Sequence, residues 1–303
     1  MSATSRHPSL KVIVTGGRGR LAACIRPHLT QAGHEVVLLS RTEGAGYLPT
    51  ESFFLTSLPE QADVVLHLAW SSLPANSERN IGIEWEQDLP LLFRILRRIA
   101  DSPARDRTQF IFFSSGGSVY GPGIGRPVRE DDPCRPIGWY AQAKVAAEEI
   151  VQAFAARHGV ACTILRVSNP YGFSVPEHRA QGIIPHAFAC ARSGRPLSVW
   201  GDGSARKDFI HASDFNRALE AVIAHRLTGI YNLASGQSHS VREVLSHVER
   251  ITGRTLKLEH GPARTWDVQT SLLDSGKLKA ATGWSPQVSF EQGLRLTAAE
   301  LGV

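Results

Sequence analysis

Tyr140-Ala141-Gln142-Ala143-Lys144 spaces a phenol and an ammonium four residues apart. On a helix the two share one face. A cation beside the phenol stabilises phenolate and draws a tyrosine down from about 10 toward the working range, which is acid/base chemistry on a hydroxyl. Far upstream, an apolar run ends in Thr15-Gly16-Gly17-Arg18-Gly19-Arg20-Leu21-Ala22. Glycines at a strand end permit a tight turn and let a pyrophosphate approach the backbone, and the helix that follows offers its first amides to the phosphate charge. Gly16, Gly17, Arg18, Gly19, Arg20 and Leu21 are therefore the candidate dinucleotide residues. Ala22 stands where a third glycine is usual and still lets helix and strand pack closely.

An NAD site normally ends its second strand with an acid that binds the adenosine ribose. Here that strand ends in Leu39-Ser40-Arg41. Ser40 removes the repulsion that would reject a 2′-phosphate, and Arg41 can pair with one. The pair points to NADP tolerance or preference; the alternative is that Arg41 is a loop residue on the surface and the ribose is held otherwise.

These residues need a scaffold, and the periodicity supplies one. Leu10–Thr15, Val36–Ser40, Asp63–Ala69, Gln109–Ser115 and Cys162–Val167 are nearly uninterrupted apolar runs. Helical patterns separate several of them at about Arg20–Ala32, Trp85–Ala100 and Tyr140–Arg157. Buried strands alternating with helices imply α/β architecture: a Rossmann-type doubly wound parallel sheet. After Asn169 the pattern becomes irregular and rich in Pro and Gly, with a short helix near Pro185–Arg192 and later helices at Val241–Thr252 and Phe290–Leu301. We divide the chain into a dinucleotide-binding domain, 1–169, and a smaller mixed α/β substrate domain, 170–303, with part of 205–235 returning to the first.

The 303 residues are 42% hydrophobic and 20% charged, an ordinary globular composition that excludes disordered, collagen-like and coiled-coil chains. The net charge of +5 is dispersed, with no long basic cluster, which argues against nucleic acid as a partner and suits an anionic small molecule. Four scattered cysteines read as free thiols, and the twelve histidines form no HxH or HxxxH pair, so no metal site is expected. No apolar run approaches the roughly 20 residues of a membrane span. The N-terminus passes from a polar tail straight into a strand, which reads as cytoplasmic.

The glycine loop together with Tyr140-x-x-x-Lys144 resembles the short-chain dehydrogenases/reductases, and more narrowly the extended NAD-dependent epimerases and dehydratases of nucleotide sugars. Further segments carry the resemblance along nearly the whole chain. They are Asp63–Ala69, Phe113-Ser114-Ser115-Gly116-Gly117-Ser118-Val119-Tyr120-Gly121, Arg166–Gly172, Val199–Ser204, Lys207–His211 and Arg264–Val268 with Leu273-Asp274 and Gly283-Trp284. The resemblance implies that Leu68 and Ala69 line the NAD(P) site and that Tyr140 is the acid/base. Lys144 would hold the nicotinamide ribose and lower the Tyr140 pKa, while Asn169, Lys207 and Arg264 would face a nucleotide-diphosphate sugar, UDP being the family's commonest. Lys207 stands where arginine is usual. One departure stands out. The family's catalytic Ser or Thr, four residues before the tyrosine of Val-Tyr-Gly, is here Gly116; Ser118, favoured, or Ser115 would have to supply the hydroxyl.

The same stretch lacks the Thr-Asp-Glu of the 4,6-dehydratases. The expected activity is a nucleotide-sugar 4-epimerase, with an NADP-dependent 4-keto-sugar reductase as the alternative, favoured by Ser40-Arg41. A silent NADP-binding protein comes third, made less plausible by the intact Tyr140/Lys144 pair. The family also implies a homodimer through two long helices. On the first of these Leu89, Leu92, Phe93 and Leu96 form an apolar stripe, whose alternative use is packing on the sheet.

Overall fold

Short β-branched strands with apolar residues on both faces build the centre of the molecule, of which a computed structural model describes residues 8–173 and 182–303. The chain begins β1 (Lys11–Thr15), α1 (Arg20–Gln31), β2 (Glu35–Ser40), the two-residue β3 (Leu48–Pro49), α2 (Ser52–Leu55), β4 (Val64–His67) and α3 (Pro74–Ser77). A single π-helical turn at Glu84–Asp88 leads into α4 (Leu89–Ala100), followed by β5 (Gln109–Ser115), α5 (Trp139–His158) and β6 (Ala161–Val167). Beyond it come β7 (Asn169–Tyr171), α6 (Ile183–Ser193), β8 (Leu197–Trp200), β9 (Arg206–His211), α7 (Ala212–Ala224), β10 (Gly229–Leu233) and β11 (Ser238–Ser240). The chain closes with α8 (Val241–Thr252), β12 (Leu258–Gly261), α9 (Gly276–Thr282) and α10 (Phe290–Leu301).

Seven parallel strands form one sheet in the order β10-β6-β5-β4-β1-β2-β3. The chain leaves β1 toward β2 on one side and returns to β4 on the other. The crevice at the carboxyl ends of β1 and β4 is therefore the switch point where such sheets bind ligands. Helices cover both faces. Val12, Val14, Ile25, Leu66, Ile111 and Phe215 lie in the core on one side, and Ile13, Val65, Leu92, Phe110, Phe112 and Val151 in that on the other. This is the α/β doubly wound architecture expected.

The apolar stripe on the expected Trp85–Ala100 helix divides. Leu89, Leu92 and Leu96 turn inward with Ile95 and Ile99, whereas Phe93 is 56% exposed. Within α4, a regular α-helix, Leu92, Ile95, Leu96 and Ile99 fall on the sheet-facing side, and Phe93, one residue on from Leu92, lies outside that stripe.

The second unit packs α6, α8 and α10 around Tyr171, Phe188, Phe209, Val244, Phe290 and Leu294. Two small sheets, β11-β9-β7 and the parallel pair β12-β8, flank this core. Residues 170–203, read from sequence as irregular apart from one short helix, hold β7, α6 and β8; residues 174–181 lie outside the described part. The traffic between units runs further than the 205–235 segment. β9 belongs to the second unit, and α7 and β10 return to the first. So do Leu278 of α9 and Trp284, which pack in the first core before α10 crosses back. Trp284 Nε1 donates to Asp214 O at 3.2 Å, and Asp214 accepts from the amides of Gln287 and Val288.

Candidate active site

The turn from β1 into α1 admits only glycine. Gly16 has φ +68°, and a Cβ there would lie 2.8 Å from the Ala69 nitrogen; one at Gly17 would lie 2.8 Å from Leu38 Cβ. Gly19 N donates to Gly16 O at 2.8 Å and caps α1 with no side chain across the helix end. The first amides of α1 thus face the crevice, as an anion needs. Leu21 packs on the core beneath. Thr15 Oγ1 bridges β1 to β4: it accepts from Ala69 N at 3.2 Å and meets His67 Nδ1 at 2.9 Å. Leu68 and Ala69 therefore form the opposite lip. The glycines at 16, 17 and 19 carry no Cβ at this turn, which is what the close approach of a pyrophosphate to the backbone requires.

Arg18 is exposed; it donates to Glu43 O at 2.8 Å and lies over the Tyr47 ring. Arg20 lies 5.7 Å from the Phe173 ring centroid, and burial brings its guanidinium down to about 10. At the end of β2, Ser40 is buried and accepts from Thr42 N at 3.3 Å, and Arg41 beside it is exposed.

The Tyr140 end of the crevice is assembled from β5, α5 and the π turn. Glu78 Oε1 accepts from Trp139 N at 2.9 Å, a carboxylate from another segment that caps α5 where Gly138 leaves no side chain to do so. Tyr140 follows in the first turn, with its phenol hydrogen-bonded to the Ser115 hydroxyl at the end of β5. Ser115 Oγ in turn donates to Ser118 Oγ at 3.2 Å. The two candidate hydroxyls are thus in series, with Ser115 next to the phenol. Gly116 is fixed by packing. A Cβ there would run into Leu273 Cδ2 and lie 2.8 Å from Arg166 O, while Gly116 N donates to Val167 O at 2.8 Å. Neither Ser nor Thr fits that position.

Lys144 is only 5% exposed. Its Nζ donates to Phe113 O at 2.9 Å and sits 3.6 Å from the Trp70 ring centroid, over the ring face, and 5.8 Å from that of Tyr140. Burial brings its ammonium down to about 7, opposed by the charges of Asp88, Glu148 and Glu84. The expectation that Lys144 lowers the Tyr140 pKa is not met. The phenol is pushed up to about 12, first by burial and then by the carboxylates of Asp88 and Glu84, with only the Ser115 bond working the other way. The ammonium points into the wall, toward Trp70 and the Phe113 carbonyl, so its field is spent there.

Sequence reasoning missed that wall. Glu84 is fully buried and Asp88 is 2% exposed. Ser72 Oγ donates to Glu84 Oε1, and Asp88 Oδ1 accepts from both the amide and the hydroxyl of Ser71 at 2.8 Å. His67, stacked with Phe110 and Phe112, is pushed down to about 3 by burial and by Lys144.

Across the crevice, Asn169 Nδ2 donates to Asp208 O at 2.9 Å and its side chain faces Gly117. Lys207 Nζ donates to Asp267 Oδ1 at 2.7 Å and to Val268 O. Arg264 lies with its guanidinium carbon 4.0 Å from the Trp200 ring centroid, near Asp267 and Arg79, and burial lowers its pKa. Lys207 and Arg264 thus meet around Asp267. Trp266 brings the same loop to the start of α5, beside Gly138. A cavity of about 150 Å³ opens beside Gly116 and Gly117, walled by Tyr120, Val128, Thr270 and Ser271. Among the described residues no three His, Cys, Asp or Glu side chains are grouped to hold a metal, and no helix is long and apolar enough to cross a membrane.

A family model described as the NAD dependent epimerase/dehydratase family matches residues 12–234. The UDP-glucose 4-epimerase of Corynebacterium glutamicum is 27% identical over 305 residues, covering 92% of this chain and 91% of its own. The UDP-N-acetyl-alpha-D-glucosaminuronate decarboxylase of Bacillus cytotoxicus is 27% identical over 318 residues, covering 95% and 96%. Among solved structures, the UDP-glucose 4-epimerase of Thermus thermophilus in complex with NAD superposes with a TM-score of 0.87 at 26% identity, over 97% of this chain and 99% of that one. With the glycine cradle at the sheet's switch point and the Tyr140–Lys144 face opposite it, the chain belongs to the NAD-dependent epimerase/dehydratase family of enzymes.

Proposed function

We propose that the protein is a nucleotide-sugar 4-epimerase, acting on a UDP-sugar. The observation that carries the reading is the Tyr140–Lys144 pair in the first turns of α5, with the glycine cradle at the switch point of the same sheet. The UDP-glucose 4-epimerases above support it. Gly16, Gly17, Gly19 and the first turn of α1 would hold a dinucleotide pyrophosphate, with Arg18, Arg20, Leu21, Leu68 and Ala69 around it. When bound, a nicotinamide supplies a reversible hydride acceptor.

Tyr140 takes the proton of the sugar C4 hydroxyl as that carbon is oxidised and gives it back when the ketone is reduced on its other face. Ser115 holds the phenol in place and offers its own hydroxyl to the substrate oxygen, with Ser118 behind it. A phenol pushed up to about 12 is a strong base once ionised, and positive charge brought into the crevice is what makes ionisation accessible. To hold the ribose hydroxyls, as the resemblance implies, Lys144 would have to turn its ammonium from Trp70 and the Phe113 carbonyl toward the crevice. Asn169, Lys207 and Arg264 take the diphosphate, Lys207 after exchanging Asp267 for phosphate oxygens. Binding at that remote end anchors the sugar.

Ser40-Arg41 favours a second reading, an NADP-dependent 4-keto-sugar reductase using the same Tyr140 and Lys144. The two part on the cofactor. Denaturing freshly purified protein and identifying the released nucleotide by mass spectrometry should yield NAD⁺ for the epimerase, which recycles it in place. Protein that carries none and binds NADPH better than NADH overturns the epimerase in favour of the reductase. Retained turnover in Tyr140→Phe overturns both. A cytoplasmic homodimer completes the proposal; light scattering that finds a monomer removes the dimer.

A further inference from the structure

The wall behind Lys144 holds two carboxylates that the reaction does not use. Glu84 and Asp88 lie four residues apart on the π-helical turn, both buried, each with one oxygen bonded to the strap that follows β4. Ser72 Oγ donates to Glu84 Oε1, and Ser71 donates to Asp88 Oδ1 through both its amide and its hydroxyl. The residue before Ser71 is Trp70, whose ring face carries the Lys144 ammonium. Glu84 Oε2 and Asp88 Oδ2 are buried with no hydrogen-bond partner. Isolated buried carboxylates are costly unless a cation compensates them. Lys144 is that cation: its ammonium feels both carboxylates, and so does the Tyr140 phenol.

We propose that Glu84 and Asp88 are positioning residues of the Tyr140–Lys144 pair: pinned by Ser72 and Ser71, their carboxylates keep the Lys144 ammonium charged and seated against Trp70 and the Phe113 carbonyl. The groups facing Lys144 are Asp88 and Glu84 from the π turn, Glu148 and Tyr140 from its own helix, and His67 from the end of β4. Glu148 is held by Arg166, which donates to Glu148 Oε2 at 2.7 Å, and His67 is neutral above pH about 3, so the turn supplies the uncommitted negative charge. Without it, burial of Lys144 is opposed by Glu148 alone, and the balance moves toward the neutral amine.

The test titrates Lys144 in ligand-free protein by isotope-labelled lysine NMR. The chain has six lysines, and the Lys144→Met spectrum assigns the signal. Asp88→Asn and Glu84→Gln keep the acceptor oxygens for Ser71 and Ser72 and remove only charge. Each should lower the Lys144 midpoint by about one pH unit or more, the size of a nearby opposite charge. A midpoint that stays within about 0.3 of the wild-type value in both folded variants, or rises, overturns the proposal. If one variant fails to fold, the other decides; if both fail, a wild-type lysine that titrates well below about 7, and is therefore neutral at neutral pH, overturns it, and one that titrates at about 7 or above supports it. Because ligand-free protein is observed, the outcome is independent of the epimerase reading, which rests on turnover.

Discussion

Gly116→Ser would restore the hydroxyl that the family resemblance expects, and the structure says it should harm the protein. The new Cβ would run into Leu273 Cδ2, which is fully buried, and would lie 2.8 Å from the Arg166 carbonyl oxygen. The leucine methyl can turn aside, but the carbonyl cannot follow. It belongs to β6, paired with β5 through Ser114–Arg166 and Ser115–Val167, and the Arg166 side chain is locked to Glu148 and Tyr120. Overpacking of this kind costs about 1–3 kcal/mol. With two obstructions, one of them backbone, we expect about 2–3 kcal/mol, or roughly 4–12 °C in Tm at about 2–4 °C per kcal/mol for a domain of this class. Gly116→Ala carries the same Cβ and should fall by a similar amount. Leu273→Val in the Gly116→Ser background should recover part of the loss through a favourable coupling between contacting residues. Urea unfolding midpoints at constant m-value give the stabilities, and nucleotide-sugar turnover is read alongside. A Gly116→Ser protein within about 0.5 kcal/mol of wild type, or one with faster turnover, would refute the packing account and return the catalytic hydroxyl to residue 116.

Three other outcomes are expected. Ser115→Ala should lower turnover about 10- to 100-fold, the loss of one hydrogen bond to a group that becomes charged, and Ser118→Ala should lower it less; the reverse order would move the role to Ser118. His67, pushed down to about 3, stays neutral in the fold while the unfolded chain takes up a proton below about 6.5. Stability should therefore fall with pH between those values at about 1.4 kcal/mol per unit from this group. Unfolding midpoints against pH should be flatter in His67→Asn, and equal slopes would show that the ring is protonated in place. Glu78→Ala removes the cap from α5 and should cost about 1 kcal/mol and reduce turnover through Tyr140, in contrast to Glu78→Gln, which keeps an acceptor for Trp139 N.

The parts of the molecule read well from sequence are those where local chemistry and tertiary demand agree. β1 and β5 are apolar runs because both faces of the sheet are covered. The bounds of α8 and α10 match their sequence reading because Ser240 with Glu243 forms a capping box and Ser289 caps the Gln292 amide. Tyr140 and Lys144 share a helix face by spacing alone. What escaped depends on contacts between distant segments. Glu84 and Asp88 look like the wet side of a helix until Ser72 and Ser71, from another segment, meet them in the wall, and only the packing of α4 on the sheet shows that Phe93 lies outside. Whether Lys144 faces Tyr140 or the wall is settled by Trp70. Gly116 looked like a missing catalytic group, and only the approach of Leu273 and Arg166 shows it to be a packing requirement. The returns of Leu278 and Trp284 to the first core carry no local signature either.

Those returns bear on how such an enzyme can change. The chain passes between its two halves after β6, after β9, after β10 and again around Trp284, so no single cut separates one half from the other. A half stitched in this way cannot be exchanged as a cassette by recombination, because any transplanted fragment would leave part of its core behind. Nor can the halves swing apart on one pin; relative movement is confined to small slides at several seams. New specificity has to arise in place, residue by residue, in loops such as 264–267 that face the crevice ahead of the buried Val268.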